Sequence, residues 1–182
     1  MTETVPFTHP LRPAELAGRK PTRFRIAPDA PARARIADSL GVEAIPNLSF
    51  EGELAPQGRR DWILKGKLAA KVVQPCVITL APVTTKISEK VTRRYLADMP
   101  EPEGEEVEMP EDDTMEALPA VIDLGAVLTE ALSLSLPLYP RAAGAELGDA
   151  EYSEPGAEPL AEEVRRPFAG LADLLKKGQK DD

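Results

Sequence analysis

Apolar residues recur at every second position through much of the first hundred residues, a period that predicts strands. Residues 22–26 (TRFRI) alternate and read as a short strand. In 47–54 the apolar Leu48, Phe50 and Leu54 alternate with Ser49, Glu51 and Glu53, the pattern of a half-buried strand. A turn is expected over 55–60. In 62–73, Trp62, Leu64, Leu68, Ala70 and Val72 share one face, and Lys65, Lys67 and Lys71 share the other. Gly66 falls in the buried row, where a glycine often marks a bend or a bulge. Pro75-Cys76 interrupts the pattern, and a third run spans 77–95. Ala81-Pro82 splits that run, because proline donates no ladder hydrogen bond; Ile87, Val91 and Tyr95 then resume at even offsets. Three long strands with short connections predict an antiparallel meander curled into a partial barrel.

Two segments carry the helical period instead. Residues 31–40 place Ile36 and Leu40 on one side and Arg33 on another, with Gly41 near the end. In 123–135, Asp123 is a candidate N-cap, and Leu124, Val127, Leu128, Ala131 and Leu132 form an apolar stripe stopped by Pro137 and Pro140. A third amphipathic stretch, 167–177, presents Phe168, Leu171, Leu174 and Leu175, with Pro167 at a helix-starting position. The expected fold class is α+β: an antiparallel, partly closed β-meander or barrel with a few short helices and long disordered acidic loops. The expected organisation is a flexible segment over 1–20, one domain over 21–140 with a mobile acidic loop at 98–118, a disordered tether over 141–166, and a terminal helix and tail over 167–182.

Charge sharpens this division. The 182-residue chain has a formal net charge of −9, but the sign is unevenly spread. Residues 1–100 hold sixteen Lys or Arg against ten Asp or Glu, whereas 101–163 hold eighteen acidic residues and one basic residue, Arg141. The predicted sheet is therefore net basic and the following segment strongly acidic, a balance that speaks to partners rather than to fold. The acidic segment admits three uses: a solubilising loop, an intramolecular competitor for the basic surface, or a lure for a basic protein. One cysteine allows no internal disulfide. No apolar run approaches the roughly 20 residues of a membrane span, and the first residues show no secretory signal. These features lead us to expect a cytoplasmic protein without a membrane partner.

Catalytic chemistry finds little footing. Cys76 lacks a base, since the one histidine, His9, lies in the expected N-terminal arm. A small buried residue at a strand start is the expected role of Cys76. The carboxylates of 101–116 lack a pocket to separate their pKa values. Gly41, Gly52, Gly58 and Gly66 never form a phosphate-cradling motif. No enzyme activity, small-molecule substrate, cofactor or metal site is expected. The positive signal is basic: Arg59 and Arg60 flank one strand, Lys65, Lys67 and Lys71 share its outward face, and Arg93 and Arg94 end the next. On a meander these seven residues can form one stripe that tracks phosphates without reading bases. An ordinary solvated face with lysines guarding an edge fits the same residues. No aromatic is interleaved with them, so base stacking is not expected.

Three stretches in this order resemble the YceD family: LKGKLAAKVVQPCVITLAPVTTKISEKVTRRY (64–95), VIDLGAVLTEALSLSLPLYPR (121–141) and PFAGLADLLKK (167–177). The second carries the resemblance through Ile122, Asp123, Leu124, Glu130, Leu136, Pro137 and Pro140, the third through Pro167, Phe168, Ala169 and Leu171. Many relatives carry Cys-x-x-Cys from the position of Cys76; here Thr79 replaces the second cysteine, and a lone thiolate does not hold a structural zinc. The resemblance implies a non-catalytic ribosome-biogenesis factor that promotes accumulation or maturation of large-subunit (23S) ribosomal RNA. Its implied partner is that RNA or a pre-50S particle, with a ribosomal protein also open. An adaptor that captures a basic ribosomal protein through the acidic loop is the alternative. The terminal segment with Phe168, Leu171, Leu174 and Leu175 either docks on its own domain or anchors a protein partner.

Overall fold

The computed structural model describes residues 6–99 and 114–146. Five strands form one open sheet in the order β2 (Thr22–Ile26), β3 (Ala44–Gln57), β4 (Asp61–Pro75), β5 (Pro82–Leu96) and β6 (Met115–Ala117). The first four are antiparallel neighbours, whereas β6 runs parallel to the end of β5, so the sheet is mixed. With β2 and β6 at opposite edges, the described strands form an open sheet rather than the expected partly closed barrel. A separate two-stranded ladder joins β1 (Pro10–Leu11) to β7 (Ile122–Asp123).

Alternation sets a covered face and an open face. Leu48, Phe50 and Leu54 of β3, Trp62, Leu64, Leu68, Ala70 and Val72 of β4, and Ile87, Val91 and Tyr95 of β5 all enter one core. Two helices belong to this layer: α1 (Ala30–Leu40) packs on β3, and α2 (Leu124–Ser135) on β4 and β5. Burying such side chains contributes about 1.5–3 kcal/mol each. The register shift between Ala44 and Asn47 lets Ile45 and Leu48, of opposite parity, both reach the core.

Gly66 plays a different part from the bulge its position suggested. The ladder runs through it unbroken, opposite Gly52 on one side and Val91 on the other. A Cβ on Gly66 would meet the Phe50 ring at 2.5 Å, and one on Gly52 would meet the Lys65 carbonyl oxygen at 2.2 Å. Gly66 thus makes room for the Phe50 ring and Gly52 for the backbone of β4, and the Phe50 ring tilts against Phe24 at a centroid distance of 5.0 Å.

Both helices start at carboxylate caps. Asp29 Oδ1 accepts from Ala32 N at 2.9 Å, and Asp123 Oδ1 from Gly125 N at 2.8 Å. The same Asp123 oxygen accepts from His9 N at 2.7 Å, and Phe7 packs against the core. Residues expected to be a flexible arm are thus tied down, from Pro6 through a 3₁₀ turn at Pro13–Glu15. The third strand begins at Pro82 and not at residue 77, because 76–81 form a loop closed around Cys76. Part of the expected acidic loop, 115–117, is β6; residues 100–113, the tether from 147 on, and the terminal segment fall outside the described residues.

Candidate nucleic-acid interface

The open face gathers cations. Side chains directly opposite in a sheet project from the same face. Lys67 of β4 faces Lys90 of β5, and Lys71 faces Lys86. All four are exposed, and among the described residues none belongs to an ion pair. Each pair is separated by about 5 Å between Cα atoms, and the two pairs lie about 14 Å apart along the strands. Lys65 continues the row opposite Thr92.

The neighbouring strand decides where positive charge is left uncompensated. Glu51 lies opposite Lys67 and Glu53 opposite Lys65, and on their far side Arg25 and Arg23 oppose the same two glutamates. Arg25 reaches Glu51 at 3.7 Å. Asn47, which is neutral, stands opposite Lys71. Lys71, Lys86 and Lys90 therefore form the most basic end of the face. Like charges directly opposed destabilise a sheet by some tenths of a kcal/mol, so the two lysine pairs are a cost to folding. No aromatic side chain projects from this face of β2–β5, so it offers phosphate contacts and no base-stacking platform.

The basic residues singled out from the sequence divide. Lys65, Lys67 and Lys71 come together as expected. Arg94 has the same parity, opposite Ile63, and is half-buried. Arg59 is exposed in the turn between β3 and β4. Arg60 pairs with Asp98 at 3.0 Å. Arg93 does not join the stripe, because its parity turns it to the helix-covered side of β5. Phe168, Leu171, Leu174 and Leu175 lie outside the described residues. Lys86 and Lys90 are not legible in the sequence, because their register depends on where the β4–β5 reversal falls, and treating 77–81 as strand conceals the match.

Arg93 is a structural cation. Its side chain is 16% exposed and is held by Glu116 of β6 and by Glu130 of α2, the latter at 2.8 Å. Burial works against its charge, but the Glu130 hydrogen bond and both carboxylates outweigh that and raise its pKa. Neighbouring Tyr95 is pushed up to about 12, by burial first and by the Glu116 charge second. The cluster fastens β6 and α2 to β5. Beside it a cleft of about 400 Å³ opens between β5 and α2.

Cys76 is also structural in its contacts. Its buried Sγ accepts hydrogen bonds from Ile78 N at 3.4 Å, Thr79 N at 3.5 Å and Ala142 N at 3.3 Å. The Thr79 side chain, followed by the Ala142 N–H, lowers the thiol from 9.0 to about 6. Val77 N donates to Pro140 O at 3.0 Å, so the knuckle clips the chain after α2 to the β4–β5 turn. Leu80 completes the tight loop at φ 60, a left-handed conformation unusual for a side-chain-bearing residue. Among the described residues no group of three or more His, Cys, Asp or Glu side chains could hold a metal ion, and no helix is long and apolar enough to cross a membrane.

No curated protein and no solved structure matches the chain. A family model does, over residues 64–175: that of the large ribosomal RNA subunit accumulation protein YceD. The match takes in the lysine-bearing hairpin β4–β5, the Cys76 knuckle and α2, and extends beyond half of the sequence. The chain accordingly belongs to the YceD family, whose description ties it to accumulation of the large ribosomal subunit's RNA.

Proposed function

We propose that this chain is a non-catalytic, cytoplasmic ribosome-biogenesis factor that promotes accumulation of large-subunit ribosomal RNA by binding that RNA, or a pre-50S particle, through phosphate contacts. The observation that carries this reading is the opposition of Lys67 to Lys90 and of Lys71 to Lys86 on a face open to solvent. A cross-strand arrangement that weakens the sheet is compensated when an anion lies across it. Lys65 and Arg59 extend the footprint toward the β3–β4 turn, with Arg60 and Arg94 at its margin. Contacts of this kind hold structured RNA without reading its sequence, because phosphates carry no base identity. Arg93 has no part in it.

Gel-shift titration of large-subunit ribosomal RNA against the protein at several salt concentrations tests the proposal. Charge reversal at Lys67, Lys71, Lys86 and Lys90 is expected to weaken binding to every structured RNA alike. Loss confined to one sequence contradicts backbone recognition. Capture of a basic ribosomal protein with no RNA shift supports the adaptor reading instead.

A further inference from the structure

We propose that the edge of β5 left unpaired among the described residues is a strand-addition site for an extended polypeptide that sends a lysine or arginine side chain into the cleft between β5 and α2. The direction of the edge follows from its occupied end. Arg94 N donates to Thr114 O at 2.8 Å, and Leu118 N donates to Leu96 O at 2.8 Å. Even-numbered residues of β5 therefore aim their backbone groups away from β4. Toward its start, the N–H and C=O groups of Thr84, Lys86, Ser88, Lys90 and Thr92 point the same way, and β6 covers only Arg94–Leu96. Among the described residues nothing else pairs with them. Such a row is a template for another strand.

The cleft supplies the specificity. It is bordered by Glu89, Lys90, Val91 and Arg93 of β5, by Glu116 of β6, and by Glu130, Ala131 and Leu134 of α2. Leu134 is 79% exposed at its lip. Arg93 is engaged by Glu116 and Glu130, so two carboxylates share one cation, and the Glu89 carboxylate is exposed beside them with no ion pair among the described residues. Glu89, Glu116 and Glu130 face Lys90 and Arg93, so the lining keeps one net negative charge that favours an incoming cation, and Val91, Ala131 and Leu134 suit its aliphatic stem. The occupant is thus an extended segment alternating apolar or cationic residues, facing the cleft, with small polar residues beside Lys86 and Lys90. Glu89 projects from the face opposite the lysine pairs, although Lys90 also borders the cleft, and a peptide titration without RNA separates this inference from the proposed RNA contacts.

The test uses the full chain and a synthetic peptide, acetyl-Thr-Val-Thr-Lys-Thr-Val-Thr-amide, followed by amide hydrogen exchange. At saturation the amides of Lys86, Ser88, Lys90 and Thr92 are expected to exchange at least about tenfold more slowly. Glu89→Lys should weaken peptide binding about fivefold, and a peptide with alternate backbone N-methyl groups should not bind. The proposal is overturned if millimolar peptide gives no protection, or if the N-methylated peptide binds equally well. It is likewise overturned if the same amides are already protected in the chain alone, whether by its own residues or, when protection rises with concentration, by a second copy.

Discussion

Lys67 and Lys90 stand directly opposite each other on adjacent antiparallel strands, both exposed on the face the helices leave bare. Each is one half of an unfavourable pair, and Lys71 with Lys86 repeats the arrangement four residues along. Such a contact acts on folding and on anion binding with opposite signs. Lys90→Glu creates an attractive pair with Lys67 and is expected to stabilise the fold by about 0.5 kcal/mol, a rise of roughly 1–2 °C in Tm. The same change should weaken binding to structured RNA. Thermal unfolding and a gel shift on one preparation check both halves; a variant that loses stability or keeps full affinity breaks the link.

Arg93 gives the complementary case. Arg93→Met removes the cation shared by Glu116 and Glu130 and leaves two carboxylates facing each other. Partial exposure moderates the cost, which is expected at about 1–3 kcal/mol in urea unfolding. RNA affinity per folded molecule should not change, because this side chain faces α2.

The glycine pair offers a test of packing. Gly66→Ala brings a methyl group against the Phe50 ring and is expected to cost about 1–3 kcal/mol, while Gly66→Ala combined with Phe50→Leu should recover part of that loss. Equal destabilisation by the single and double changes would show that Phe50 is not what the glycine accommodates.

Much of this fold is legible in the chain because one physical signal dominates it. Period-two alternation places every core residue of β4 and every core residue of β5 from Ile87 on, and Asp123 announces the cap of α2. What escapes the sequence depends on contacts between distant segments. The pairing of β1 with β7 involves two residues on each side, too short for any periodicity. β6 hides within an acidic stretch because its three residues take their order from the edge of β5 and from Arg93. The candidate site was half visible for the same reason: Lys65, Lys67 and Lys71 follow from alternation alone, whereas Lys86, Lys90 and the exclusion of Arg93 need the hairpin register and the helix above it.

The Cys76 knuckle carries a pH dependence whose sign is fixed. The folded thiol ionises near 6 against an ordinary value of 9.0, so the folded state favours the thiolate. This contribution to stability is fully present above about pH 9 and is lost as pH falls through about 6. Unfolding free energy should therefore rise between those limits, and Cys76→Ala should flatten that rise. A wild-type curve already flat across the window, or an unchanged slope in the variant, contradicts the hydrogen-bonded thiolate.

Salt dependence bears most directly on the central claim that lysine pairs on the bare sheet face grip RNA phosphates. The quantity to measure is the slope of log K against log salt for structured large-subunit ribosomal RNA, in the wild-type chain and in a Lys67, Lys71, Lys86 and Lys90 to Gln variant. Four lost phosphate contacts should reduce the magnitude of that slope by about 3, with affinity falling most at low salt. An unchanged slope, with equal affinity across the salt range, would mean that the RNA does not lie on this face.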